Sequence, residues 1–493
     1  GQSPCSYTCP AGVRPHGYTS LVRAGLHDAA FELHLDATPL VGSLSRACYA
    51  PCEGQCTRAE FEGCIPIRAI KRFMADRYYE LNPEPKFGPV AERKGKRIAV
   101  AGSGPAGLTA AYQLARKGYD VTIFERQPKP GGMMRYGMPA YRLPRTVLDR
   151  DIKNVTALGV RLLTDSPVNS IRALREQGFD AVYVAVGAGE AKRMGIPGED
   201  LAGVLDCMTF LREKNEGEGE DLSGKTLLVV GGGNSAIDPV RLALRKAKKL
   251  GAARVMLQYR RGREEMPAHD WEVRAAEEEG VELHLLKTPV RFLGQDGRLV
   301  SVQSQAMRLG EPDASGRRRP VPVEGSEETI PVDMAVLAIG LEPSTGPFAD
   351  ELTLRKDGTI AVNEETLQTS LPYVFAGGDA VSGPDNMTEA IGQGNRAAFF
   401  LDRFLRGESL DAAYLTNPPP ADKLAVIARA ARLSSRTPAP LRELGIAERL
   451  RGMLEVELPL SEEEARYSAN RCLDCGGCSE CQQCVKACPA NAI

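Results

Sequence analysis

A chain of 493 residues, 26% of them charged and with a formal net charge of −2, is too long for one hydrophobic core and is expected to divide into three or four domains. The near-neutral balance supplies no basic footprint for nucleic acid, and no apolar run approaches the roughly 20 residues of a membrane span or forms a signal-peptide h-region. Thirteen cysteines sit in CxxC and CxxxC runs at the two ends, with Cys207 alone between them, which favours metal ligation in a reducing cytoplasm over disulfides.

Residues 1–90 carry helical periodicity over PHGYTSLVRAGLHDAAFELHL and IPIRAIKRFMADRYYE, interrupted by Cys5, Cys9, Cys48, Cys52, Cys56 and Cys64. A Pro- and Lys-rich linker leads into RIAVAGSGPAGLTAAYQLARKGYDVTIFE, which predicts a strand, a glycine turn, an Ala-rich helix and a second strand, the start of a unit over 91–219. In that turn Gly102 permits the tight bend, Gly104 lets backbone approach a pyrophosphate, and Gly107 allows close helix packing, with the helix N-terminus adding partial positive charge. Glu125 ends the next strand, where a carboxylate accepts hydrogen bonds from a ribose diol. Ala181–Ala188 predicts a buried strand of the same sheet.

A second such unit, over 220–335, begins at KTLLVVGGGNSAIDPVRLALRKAKKLGAARVMLQYRR, with Gly231, Gly233 and the alanine variant Ala236 in its turn. Its second strand ends in Tyr259-Arg260-Arg261-Gly-Arg263 without an acid. Guanidinium groups there suit a 2′-phosphate and favour NADPH over NADH; a solvated surface cluster is the alternative. The first unit resumes over 336–407, through VDMAVLAIG and YVFAGGDAVSGPDNMTEAIGQGNRAAFFLDRFL. Residues 408–465 read as a Pro-, Ala- and Arg-rich linker or docking arm, and Ser461 with Glu464 forms a capping-box pattern opening a helix.

The terminal segment 466–493 contains Cys478-x2-Cys481-x2-Cys484-x3-Cys488-Pro, the spacing of bacterial ferredoxins. There, three close thiolates take three corners of a cube and the cysteine before proline ligates a neighbouring cluster. Cys472 and Cys475 extend this run upstream, and at least one C-terminal [4Fe–4S] cluster is expected. Cys207 has no sequence partner and is expected to be buried; the five histidines show no ligand spacing.

Taken together, AVAGSGPAG, FERQPKPGGMMRYGMPAYRLP, VVGGGNSAID, YRRGREEMPA and VFAGGDA resemble the glutamate synthase small-subunit family of iron–sulfur flavoproteins, which also contributes part of dihydropyrimidine dehydrogenase. The likeness covers about residues 1–405. It implies FAD in the split domain and NAD(P)H in the insert. Matching positions imply FAD contacts at Gly102, Ser103, Gly104, Pro105, Ala106, Glu125, Gly131, Gly132, Met133 and Arg142. Gly378 and Asp379 would meet the ribityl–phosphate part, with Met387 and Thr388 at the following helix. Gly233, Asn234, Ser235, Arg260, Arg261 and Arg263 are implied as NADP contacts, with Gly340 on the nicotinamide side. A helix starting near Asn386 would aim its positive end at the flavin ring; Met133, Met134 and Met138 suit pocket packing better than chemistry.

The family pattern has a further cysteine pair upstream of the match to Cys5, which this sequence does not supply. One N-terminal [4Fe–4S] cluster is therefore expected, on Cys9, Cys48 and Cys52 with Cys56 fourth and Cys5 and Cys64 as substitutes. The expected fold is α/β, with two Rossmann-like dinucleotide-binding domains (the FAD domain split by the NAD(P)H domain), an α-helical iron–sulfur domain at the N-terminus and a ferredoxin-like C-terminal segment. The expected function is an FAD-dependent NAD(P)H:acceptor oxidoreductase passing electrons between nicotinamide, FAD and [4Fe–4S] clusters, to or from a partner redox enzyme or ferredoxin in a hetero- or homo-oligomeric complex. A stand-alone NAD(P)H–ferredoxin reductase is the alternative. A thioredoxin-reductase chemistry would need a CxxC beside the flavin, and the central chain holds Cys207 alone. Hydride transfer needs no protein acid or base, so no catalytic side chain is expected.

Overall fold

Two five-stranded parallel sheets carry the two glycine turns, each at the carboxyl end of a central strand. This computed structural model describes residues 1–60, 62–247, 249–313, 316–414, 418–429 and 437–489. The first sheet runs Val374–Ala376, Ala181–Val184, Arg97–Ala101, Asp120–Phe124, Arg161–Leu163. Ile98, Val100, Val182 and Val184 are fully buried, because covering layers on both faces turn a parallel strand into a continuous apolar run. Its edge strand Val374–Ala376 arrives only after the chain returns from the second sheet.

The second sheet runs Val204–Asp206, Met334–Leu337, Thr226–Val230, Arg254–Tyr259, Glu282–Leu285. It draws its edge strand from ahead of position 220, where the sequence suggests the insert begins. The chain leaves and re-enters the first unit side by side, Ala188–Ala191 pairing antiparallel with Leu341–Pro343. An antiparallel sheet of Lys287–Gln295, Arg298–Pro312, Arg318–Pro322 and Glu328–Pro331 is inserted between the second sheet's strands Glu282–Leu285 and Met334–Leu337. Its first hairpin turns at Asp296 and Gly297, both with φ above +50°, a two-residue turn whose Asp-Gly signal was present in the sequence.

The periodic N-terminal stretches form helices Pro15–Arg23, His27–Leu35 and Ile67–Leu81, with Val41–Ala47 between them. Phe31 stacks on Tyr78 with ring centroids 3.8 Å apart. This layer docks on the first sheet's helix Arg145–Thr156 through buried Asp151, which accepts from the backbone of Gly42 (3.1 Å) and Ser43 (2.6 Å) and from the Tyr79 hydroxyl.

The two ends of the chain meet. Helix Glu462–Asn470, with its capping box formed by Ser461 and Glu464, packs on helices Pro15–Arg23 and Ile67–Leu81. Glu462 pairs with His27 (3.1 Å) and Arg77 (3.2 Å), and the buried Arg471 donates to the carbonyls of Gly63 (2.8 Å) and Cys64 (3.0 Å). The arm before it is strapped down at both sides: Glu455 pairs with Arg46 (2.7 Å) and Arg72 (3.0 Å), while the Lys246 amide donates to Leu450 (2.7 Å). Residues 415–417 and 430–436 of the arm and 490–493 of the terminal segment lie outside the described residues. No helix among the described residues is long and apolar enough to cross a membrane.

Candidate functional site

At the first turn Gly102 has φ +106°, and a Cβ there would stand 2.3 Å from the Ala185 carbonyl oxygen; one at Gly107 would stand 2.0 Å from the carbonyl oxygen of Gly102. At Gly104 a Cβ would meet nothing within 4 Å. Close contact therefore requires glycine on either side, while the middle position faces open space at the start of helix Pro105–Arg116, which has no side-chain cap. Uncapped first-turn amides beside an open backbone fit a pyrophosphate. The second turn repeats this geometry. Added Cβ atoms at Gly231 and Gly232 would lie 2.3 Å from the Ala338 carbonyl oxygen and 2.4 Å from the Tyr259 ring, whereas Gly233 has nothing nearer than Ser235 Oγ at 3.8 Å. Helix Asn234–Leu244 likewise starts without a side-chain cap.

The other residues matched to FAD gather round the first turn. Gly131 donates its amide to Ser103 Oγ (3.0 Å), and a Cβ at Gly132 would stand 2.9 Å from the Cα of Gly104. Met133 opens the short helix Met133–Tyr136. A Cβ at Gly378 would stand 3.1 Å from that of Ala106, which brings the returning half of the domain onto the turn. Met387 and Thr388 are buried in the first turn of helix Met387–Leu405, capped by Asn386. Burial pushes the Asp379 carboxyl up to about 7, against the opposing hydrogen bond from the Asp385 backbone.

Two of these residues are also bound within the protein. The buried Glu125 carboxylate accepts from the Ser103 amide (3.1 Å), the Ser103 hydroxyl and the Gln127 amide (2.8 Å), so it braces the turn. Arg142 reaches into the insert, pairing with Asp238 (2.8 Å) and Glu272 (3.0 Å), and also hydrogen-bonds Tyr49 of the N-terminal layer.

In the second unit, Asn234 Oδ1 accepts from the His269 amide (3.0 Å), and the Ser235 carbonyl accepts from the buried Cys207 thiol (3.1 Å). The three arginines separate. Arg261 is buried and donates to the Arg318 carbonyl (2.8 Å) and Asp313 (2.6 Å). Arg263 pairs with Glu277 (2.7 Å) and Asp270 (3.3 Å). Arg260 is exposed, with no ion pair among the described residues, and is the cation left for a phosphate. Gly340, with φ +122°, accepts from the Lys192 amide (3.1 Å) where the chain re-enters the first unit.

The cysteines gather in groups that the sequence reading anticipates only in part. Cys52, Cys9, Cys48 and, last of the four, Cys5 lie near the buried Tyr18, whose hydroxyl is pushed up by burial and then by those thiols. Burial also pushes Cys9 and Cys52 up, and Lys71 opposes it at both. Cys56, expected as their fourth ligand, instead lines a cavity with Cys5, Cys472 and Cys475. Cys472 and Cys475 thus leave the ferredoxin run to which spacing assigned them, because docking of helix Glu462–Asn470 carries the loop after it over the N-terminal cysteines. Burial pushes the Cys5 thiol up to about 12 and Cys472 upward as well, so a metal loaded there must displace protons. Cys64 is half-buried beside Arg471, Cys478 and Cys484 are exposed, and Cys481 and Cys488 are half-buried.

Two protein families match the chain. The family described as pyridine nucleotide-disulphide oxidoreductase matches residues 96–394, and that described as dihydropyrimidine dehydrogenase domain II, 4Fe-4S cluster, matches residues 1–82. The chain is 40% identical over 508 residues to the NADP(+)-dependent formate dehydrogenase subunit beta of Moorella thermoacetica, covering 96% of this chain and 70% of that one. It is 38% identical over 515 residues to the NADPH-Fe(3+) oxidoreductase subunit beta of Geobacter sulfurreducens (96% and 75%). With the glutamate synthase [NADPH] small chain of Escherichia coli it shares 33% over 418 residues (81% and 88%). The solved structure of Mycobacterium tuberculosis FprA in complex with NADPH has the same fold, with a TM-score of 0.55 and 21% identity over 68% of this chain and 90% of that one.

Proposed function

The chain belongs to the pyridine nucleotide-disulphide oxidoreductase family, and we propose that it serves as the electron-transfer subunit of a larger redox assembly. It is an iron–sulfur flavoprotein oxidoreductase whose cofactors are FAD, NADP(H) and [4Fe–4S] clusters. The flavin, when bound, exchanges electrons pairwise with nicotinamide and singly with the clusters.

The chain's own contribution is placement. Each open glycine turn offers backbone amides and a helix N-terminus to one pyrophosphate. Gly131, Gly132 and Met133 close over the first turn, and helix Met387–Leu405 directs its positive end to the same region. Asp379, holding its proton to about pH 7, presents a hydroxyl-bearing acid to ribityl oxygens. Arg142, through Asp238 and Glu272, ties the two units together and so sets the spacing of their ligands. Arg260 takes the 2′-phosphate.

One observation carries the reading. Along helix Met387–Leu405, a Cβ at Gly394 would stand 2.5 Å from the Ala106 carbonyl oxygen, and one at Gly392 would stand 2.2 Å from the Pro10 carbonyl oxygen. A single helix turn therefore joins the flavin turn to the residue after Cys9, with no room for a side chain at either contact. Asn395 seals the junction, donating to the carbonyls of Ala11 (3.1 Å) and Ala37 (2.8 Å). Packed protein between flavin and thiols is what a short electron route requires. Exposed Cys478 and Cys484 make the terminal segment the exit toward a partner. The relatives named above are a formate dehydrogenase subunit beta, an NADPH-Fe(3+) oxidoreductase subunit beta and a glutamate synthase small chain, and a comparable partner enzyme is assigned here, in a reducing cytoplasm that keeps the thiols available.

Adding NADPH to the anaerobically reconstituted protein should bleach a yellow chromophore and produce reduced-cluster EPR signals. Cys481→Ser should leave the bleaching intact and slow reduction of a co-purifying acceptor. A protein without a chromophore bleached by NADPH or NADH overturns the reading.

A further inference from the structure

We propose that Cys5, Cys56, Cys472 and Cys475 together hold one [4Fe–4S] cluster, so that the two ends of the chain share a metal centre. The four thiols line a single cavity of about 410 Å³, counting its mouth, whose other walls include Ile65, Ile67 and Leu473. They come from three separate segments of chain, which tertiary docking brings together.

The loop that delivers Cys472 and Cys475 is held from several sides. Asp474 accepts from both arms of Arg23 (2.9 and 3.0 Å) and lies 3.0 Å from His16 Nε2. Gln2 donates to Glu480 (3.0 Å), and a Cβ at Gly476 would stand 3.0 Å from the Ser3 amide nitrogen. His16, Cys472 and Asp474 also bring ligand atoms within 4.8 Å of one another. That trio is a brace rather than a site, since Arg23 already neutralises its carboxylate.

Two further features point to a sulfur-rich guest. Thr19 Oγ1 and His16 Nδ1 belong to residues lining the cavity and are buried without a hydrogen-bond partner in the structure; donors of this kind suit the sulfides of a cluster. Among the described residues, no three of the four thiol sulfurs lie within 4.8 Å of one another. Zinc bonds of ~2.3 Å would pull four sulfurs to a tetrahedral edge of roughly 3.8 Å, a closeness that the sulfurs as placed do not show. Arg58 on the cavity wall and Arg471 next to Cys472 in the chain both pair with the buried side chain of Glu62. The assignment leaves Cys478, Cys481, Cys484 and Cys488 to the ferredoxin run, and Cys9, Cys48 and Cys52 to the set nearer the flavin.

The assignment rests on the reading of the chain as an iron–sulfur flavoprotein. Its tests read iron and spectra rather than turnover, so a mistaken acceptor would leave it standing. In the anaerobically reconstituted full chain, Cys5→Ser and Cys472→Ser should each remove about four iron atoms and the same EPR signal, and the double variant should lose no more iron than either single one. Cys481→Ser should remove a different signal. Additive losses from Cys5→Ser and Cys472→Ser, one signal shared by Cys472→Ser and Cys481→Ser, or zinc in place of iron would each overturn the proposal. Should a serine variant fail to fold, the wild-type protein decides. During stepwise iron removal by a chelator, Cys5, Cys56, Cys472 and Cys475 should become alkylated together; alkylation of Cys472 in step with Cys478 and Cys484 overturns the shared site.

Discussion

Three arginines within four positions do three different jobs, and the division follows from what each guanidinium already touches. Arg261 is spent on Asp313 and a backbone carbonyl, Arg263 on two surface acids, and Arg260 is left facing water. A charge-assisted hydrogen bond contributes about 1.5–3 kcal/mol. Arg260→Ala is therefore expected to raise the KM for NADPH roughly tenfold or more while changing that for NADH little; equal effects would remove the 2′-phosphate assignment. Arg261→Ala should instead lower the thermal stability of the insert, because it leaves the Asp313 carboxylate and the Arg318 carbonyl without their donor. Asp151 carries a pH signature. Burial pushes its carboxyl up to about 6, against the opposing hydrogen bonds of Tyr79 and Ser43. The folded protein thus binds this proton more tightly than an unfolded chain, whose carboxyl titrates near ~3.9. Between about pH 4 and 6 stability should fall as pH rises, by up to ~1.4 kcal/mol per pH unit. Thermal denaturation of Asp151→Asn across that window should show a flatter slope; an unchanged slope assigns it to other groups.

At the scale of elements, helix Met387–Leu405 joins function to fold. Its N-terminus addresses the flavin region, and its next turn touches both the dinucleotide turn and the first cysteine segment through Gly394 and Gly392. Alanine at either position gains about 1 kcal/mol of helix propensity but meets a fixed carbonyl oxygen, and overpacking of that kind costs about 1–3 kcal/mol. The two variants should diverge. Gly394→Ala is expected to weaken flavin retention, measured by flavin release on dilution. Gly392→Ala should keep the flavin yet slow electron transfer from flavin to cluster in a stopped-flow experiment, because it pushes the Cys9 segment away. Identical losses in both would reduce the helix to general packing. The docking arm is likewise an element rather than a linker: its Glu455 sits between Arg46 and Arg72, a charged clasp that composition alone could not distinguish from a solvated surface.

At the scale of the whole molecule, the chain is closed on itself. The insert leaves and returns through the paired Ala188–Ala191 and Leu341–Pro343, and the C-terminal helix folds back over the N-terminal helices. Metal binding is coupled to folding where a site is assembled from distant segments. Chelation of iron should therefore raise amide hydrogen exchange over residues 3–10 and 472–482 in the same step, while the central strand Arg97–Ala101 stays protected. Exchange rising at one end alone would show that the ends are not coupled through metal.

Local chemistry was legible in the sequence by itself: the two glycine turns, the strands that precede them, the N-terminal helices, the capping box at Ser461 and the ligand character of the cysteines. Each rests on contacts a few residues apart, where backbone sterics and periodicity decide. The tertiary structure alone decided which groups act together. Spacing puts Cys472 in one run with Cys478, while helix docking also sets it in a cavity lined by Cys5; of the three arginines that the motif puts together, Arg261 and Arg263 have acidic partners from other parts of the insert. A side chain's partners depend on surfaces brought together across hundreds of residues, and charge and burial at such contacts are set by the fold rather than by neighbours in sequence.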